Sequence, residues 1–292
     1  MVSNFSIASM AISLLLSLVL PIILILYLQR KFNSSIKIFF FGMLAYFIAT
    51  QVVEGPIVKY LLNINKTTST FLNNNLIVYS IFTALLASIL QFCARFLFFK
   101  QYKKRKLSVI DSLSFGIGFG GFESIFIGSI VSFNSLTYAI LINSNKLEES
   151  LQSANVSSEQ INYIINYYAG TSWTNWAMIG FERIFMLFLQ ISLSLIIFYG
   201  IKNNKRKYIL MSMLSQIVAS IPATLYSMKV INNIYLAEIL TAILSIAIVI
   251  WSFTLLKTMV KSEIIANNEK SKVVPRGKSK TKSKIKNKVA KK

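Results

Sequence analysis

The sequence predicts an all-α, polytopic transmembrane helix bundle of about seven spans, with its amino terminus outside and its carboxyl terminus inside. Three observations predict it. Of 292 residues, 54% are hydrophobic and 14% charged, well below the roughly 25% charged share of a soluble domain. Apolar runs of about 20 residues, the length a bilayer requires, recur along the chain. Lysine and arginine collect in alternate loops, as they do on the cytoplasmic side of membrane proteins.

The candidate helices fall at about 7–28, 36–62, 76–99, 112–133, 176–200, 208–228 and 235–257. The first lacks a basic leader and a small-residue cleavage site, so it is expected to be a retained span. Arg30, Lys31 and Lys37 follow it, KQYKKRK (100–106) follows the third, and KNNKRK (202–207) follows the fifth. The alternate loops hold scattered lysines beside Glu148, Glu149 and Glu159, which sets the expected orientation. The one long outer loop, about 134–175, contains a capping box, Ser157 with Gln160, before INYIINYY. That pattern predicts a short helix on the membrane surface within a connector. Trp173 and Trp176 are expected to mark the interface where the fifth span enters.

Two regions follow: a transmembrane domain over 1–260 and a basic tail over 261–292. The tail has no packable apolar face and is expected to be disordered. On the cytoplasmic side its lysines would draw it to anionic headgroups. It has no aromatics interleaved for base stacking, which argues against nucleic acid. Cys93, the single cysteine, lies in an apolar run and reads as an inert thiol.

The densest motif is SFGIGFGGFESIFIG (114–128). Gly116, Gly118 and Gly121 fit GxGxxG, but no strand–turn–helix unit surrounds them, so a dinucleotide site is excluded. Taken every fourth residue, Ser112, Gly116, Gly120, Ser124, Gly128 and Ser132 form a stripe of small side chains. Such a ridge lets helices approach closely in lipid, and it predicts a central place for the fourth span. Glu123, in the same helix, needs a partner or water at bilayer depth. Arg95, Glu182 and Arg183 are the other ionisable groups counted inside spans. Arg95 lies near a helix end, from which it can snorkel. Glu182 and Arg183 are neighbours expected to point apart and to find partners elsewhere.

From MVSNFSIASMAISLLLSLVLPI through QVVEGPIVKYLL to the seventh helix, the chain resembles the YhfC family of intramembrane metalloproteases. That family is a distant branch of the superfamily of CAAX-processing and bacteriocin-processing membrane proteases. GIGFGGFES and FERIFMLFLQISLS (181–194) are the specific anchors. The resemblance implies a glutamate pair followed by arginine, Phe-x-x-x-His in the glycine run, Glu-Arg followed by histidine, and His-x-x-x-Asp/Asn. Here Leu90 and Gln91 stand at the glutamate pair, Phe119 and Gln190 at two of the histidines, and Gln216 and Ser220 at the last pair. Arg95, Phe115, Gly116, Gly118, Gly120, Gly121, Glu123, Glu182 and Arg183 are kept as scaffold. The whole chain contains no histidine.

Counted inward at 1.5 Å per residue, Gln91, Phe119, Gln190 and Gln216 lie roughly 11–17 Å deep and so share one layer. Zinc, the cofactor the family implies, wants about three nitrogen, sulfur or carboxylate ligands and is not expected on such a set. The expected function is an intramembrane-protease-like scaffold without catalysis that binds a membrane protein or peptide. Two rivals start from the same acids: a peptidase using Glu123 and Glu182 as a carboxylate dyad, and a small proton- or ion-coupled transporter.

Overall fold

The computed structural model describes residues 1–103, 107–153 and 156–273, with side chains through Glu263. Helices dominate it, and among the described residues seven are long and apolar enough to cross a membrane. In chain order these are α1 (Asn4–Phe32), α2 (Ile36–Ile64), α4 (Leu76–Tyr102), α5 (Val109–Asn143), α8 (Trp173–Lys202), α9 (Arg206–Ser227) and α10 (Ile234–Val273). Short helices α3 (Lys66–Asn74), α6 (Leu147–Gln152) and α7 (Ser158–Gly170) lie between spans.

Local chemistry sets the ends. Ser3 caps α1 by accepting from the Ser6 amide, and Asn33 ends it in the left-handed region at φ 50°. Ser108 and Asp111 form a capping box at the start of α5, and Ser157 and Gln160 form the expected one on α7.

The centre of the bundle is the fifth span rather than the fourth. In α8, 72% of the apolar window is buried, against 33% in α5 and less in every other span. The small-residue stripe of α5 is the surface on which α8 seats. A Cβ at Gly116 would stand 2.8 Å from the Ile191 Cα, and one at Gly120 2.8 Å from the Gln190 Cβ. Further along, Ser124 Oγ donates to the Ser17 carbonyl of α1 at 3.0 Å. The ridge therefore works as predicted, but it serves a neighbour that is itself the hub. Helices α1, α5, α9 and α10 all pack on α8, while α2 packs mainly on α5 and α4 joins α2 to α9.

The connector between the fourth and fifth spans is largely helical. The fourth span runs on to Asn143 because NSLTYAILIN continues an unbroken apolar helix past the predicted end at 133. Asn143 then clasps the amino terminus: the Val2 amide donates to its Oδ1 at 2.8 Å, and its Nδ2 donates to the Val2 carbonyl at 2.9 Å. Val2, Met10, Ala139, Ile142, Leu147 and Trp176 form a small apolar core beneath α6 and α7. Trp176 is buried, stacked on Tyr168 at 5.2 Å, so only exposed Trp173 is placed as an interface marker would be. At the other end of the chain α10 continues through Val273, past the tail boundary at 260. The rest of the basic tail lies outside the described residues.

Two spans carry π-helical turns, at 48–54 and 60–64 in α2 and at 124–129 in α5. The last begins directly after Glu123. Wide turns of this kind insert a residue into the ladder and favour functional positions.

Candidate functional site: an amide layer around a buried arginine

Four spans each contribute an inward face. On α4, Gln91 and Arg95 are one turn apart and share a side of the helix, as do Phe115, Phe119 and Glu123 on α5. Span α8 supplies Gln190 one turn below Met186, and α9 supplies Gln216 with Ser220 a turn above it. Because α5 and α8 meet along the glycine ridge, Gln190 is pressed against the level of Gly120, between Phe119 and Glu123.

The four residues predicted to share a layer do meet. Gln91 Oε1 accepts from Gln216 Nε2 at 2.6 Å and from Gln190 Nε2 at 3.3 Å. Arg95 Nη1 donates to Gln216 Oε1 at 2.6 Å, and its Nη2 donates to Gln190 Oε1. The guanidinium carbon lies 4.0 Å from the centre of the Phe119 ring. Arg95 therefore does not snorkel. Only 1% of it is exposed, because two amide oxygens and an aromatic face await it inside the bundle.

Gln190 also reaches outward, donating Nε2 to Glu123 Oε2 at 2.6 Å. Glu123 Oε1 lies 3.8 Å from Arg183 Nη1, and Arg183 Nη2 bonds Glu182 Oε1. Glu182 and Arg183 thus pair with each other, against the expectation that neighbours point apart. The arginine side chain is long enough to fold back along the helix to the adjacent carboxylate. A continuous chain of polar contacts runs Arg95–Gln190–Glu123–Arg183–Glu182.

Not every position joins. Leu90 is half-buried and takes no part in the network. Phe115 belongs to an aromatic floor, with its ring 4.2 Å from Phe98, 4.8 Å from Phe99 and 5.9 Å from Phe119. Ser220 donates to the Ile217 carbonyl at 2.8 Å and lines a cavity rather than the layer.

That cavity, of about 260 Å³, descends between α4, α8, α9 and α10 to the amides. Small residues line it, Ala84, Ala87, Ala219 and Ala223 among them, together with Glu123, Glu182 and Glu238. Glu238 was not among the ionisable residues counted from the sequence. The signal was there: a lone acid in the first turns of the last apolar run, where an uncompensated charge is costly. Tyr46, whose ring is 5.0 Å from Phe119, had no comparable signal and is buried.

The donor set does not fit zinc. Among the described residues no group of three or more histidine, cysteine, aspartate or glutamate side chains could hold a metal ion. The amide oxygens at the layer already accept hydrogen bonds, and a cation among them would face the Arg95 charge.

Three comparisons bear on this architecture. Residues 16–241 match the family model described as YhfC intramembrane metalloprotease. The chain is 33% identical over 257 residues to the "Uncharacterized membrane protein YhfC" of Bacillus subtilis (strain 168), covering 86% of this chain and 96% of that protein. No solved structure matches. The relative and the seven apolar helices make this a multi-pass protein of the cell membrane. The chain belongs to the YhfC intramembrane metalloprotease family.

Proposed function

We propose that this member of the family binds a membrane-embedded segment of a partner protein or peptide in the outer cavity and does not cleave it. One observation carries the reading: the layer at the foot of the cavity is a hydrogen-bonded set of three glutamines around a guanidinium. Hydrolysis needs a group that activates water or attacks the carbonyl. An amide does neither, and a guanidinium cannot give up its proton.

The peptidase alternative is disfavoured by geometry. A carboxylate dyad works by sharing one proton between two touching acids. Here the Arg183 guanidinium engages both Glu123 and Glu182, so each acid faces that cation rather than the other acid. The small side chains of the cavity wall leave room for a side chain or a short extended stretch of such a segment.

A photo-crosslinking residue placed at Ala223, on the cavity wall, tests this in membranes. Intact partner segments are expected in the crosslinked product. Cleaved segments whose production stops with Glu123→Gln would overturn the reading in favour of a peptidase.

A further inference from the structure

A second hollow lies elsewhere on the bundle. Helices α1 and α10 each pack along α8 but not along one another, and the gap between them forms a groove of about 650 Å³. Buried Ile117 and Leu195 make its floor, while Leu24 and Leu28 face Phe253 and Leu256 across it. Its few polar groups are already engaged. Ser252 Oγ donates to Ser192 Oγ at 2.9 Å, and Glu263 accepts from the Val109 amide at 3.1 Å and bonds Lys202.

At the end of α1 the groove adjoins a shallow basic shelf. Ile23, Leu26, Tyr27, Arg30 and Lys31 line that shelf, and Tyr27 belongs to both hollows. Lys31 Nζ donates to the Tyr27 hydroxyl at 2.8 Å and lies over the Tyr27 and Phe32 rings. Neither Arg30 nor Lys31 has an acidic partner among the described residues. An apolar trough that runs into a cationic shelf has the shape and charge order of a phospholipid with a negative headgroup.

We propose that this groove seats one anionic phospholipid, its acyl chain between α1 and α10 and its phosphate on Arg30 and Lys31. Other occupants fit less well. A helix about 10 Å across fills roughly 1,300 Å³ over three turns, about twice the groove. The chain's own lysine-rich tail carries the same sign of charge as the shelf. Selectivity falls on the shelf, because lipid tails are as apolar as the groove walls and choose nothing by themselves. Two basic residues at a headgroup give a preference of roughly tenfold or more over a neutral lipid.

The test is titration of full-length, delipidated protein with phosphatidylglycerol or phosphatidylcholine, read by native mass spectrometry. The first phosphatidylglycerol is expected to bind at least about tenfold more tightly than the first phosphatidylcholine. Arg30→Gln with Lys31→Gln, both on the exposed last turn, should abolish that preference without changing the melting temperature. Leu256→Trp, which fills the groove, should weaken the first site for both lipids. Equal binding of the two lipids by the unaltered protein would overturn the proposal. So would a preference that survives in both variants, since that result assigns it to the basic tail.

Discussion

Two arginines, Arg95 buried and Arg183 partly buried, stand at different levels of the bundle, and each is made tolerable in a different way. Arg183 has direct counter-charges, bonding Glu182 and lying 3.8 Å from Glu123. Arg95, deeper and almost wholly buried, has none within bonding distance among the described residues. Its charge rests on two neutral amide oxygens and an aromatic face. Burying a charge costs several kcal/mol unless it is paired and hydrogen-bonded. A carboxylate pair supplies that compensation twice over at Arg183. At Arg95 it depends on glutamines held in one orientation by one another. The lesson is asymmetry: the outer cluster is redundant, and the inner one is a single interlocked unit.

That asymmetry is open to mutation. The largest loss is expected from Gln190→Leu, about 3–5 kcal/mol of stability in detergent unfolding, because it strips partners from Arg95, Gln91 and Glu123 together. Adding Arg95→Met to that variant should recover much of the loss, since removing both members of a buried polar pair is close to neutral. A double variant as unstable as the single would show that Arg95 is not the group left stranded. Phe119→Leu should cost less, about 2 kcal/mol, combining the lost cation–ring contact with a small void. Glu182→Gln should cost least, at most about 1 kcal/mol, because its side chain is 29% exposed and Arg183 keeps Glu123. If Glu182→Gln proved as damaging as Gln190→Leu, the distinction between the two clusters would fail.

Much of this was legible in the chain, for physical reasons. Bilayer thickness forces long apolar helices, so seven spans could be counted from hydropathy alone. A fixed rise per residue carries depth from sequence into space, which is why Gln91, Phe119, Gln190 and Gln216 could be placed at one level. Small residues at every fourth position announced the α5 ridge, though not that the helix seated on it was the hub. Rotation about each helix axis, and the reach of long side chains, were not legible. Arg95 could be placed near a helix end but not turned inward, and Arg183 could not be seen to fold back on Glu182. The fourth span was expected to end near 133, and its helix continues to Asn143. Glu238 was visible as a lone acid in an apolar run; only the packing of α10 beside α8 gives it a place on the cavity wall.

The resident cation at the layer also sharpens what a restored metal site would require. Phe119→His, Gln190→His and Gln216→His together supply three nitrogen ligands, yet Arg95 would still point into them. Zinc uptake is therefore expected to be greater when Arg95→Met accompanies the three histidines than when it does not.

Zinc analysis of the unaltered protein, purified without chelator, tests most directly whether amides and a guanidinium fill the place where other members of the family are expected to hold a metal. Background, substoichiometric zinc is the predicted result. One tightly held zinc per chain would contradict it.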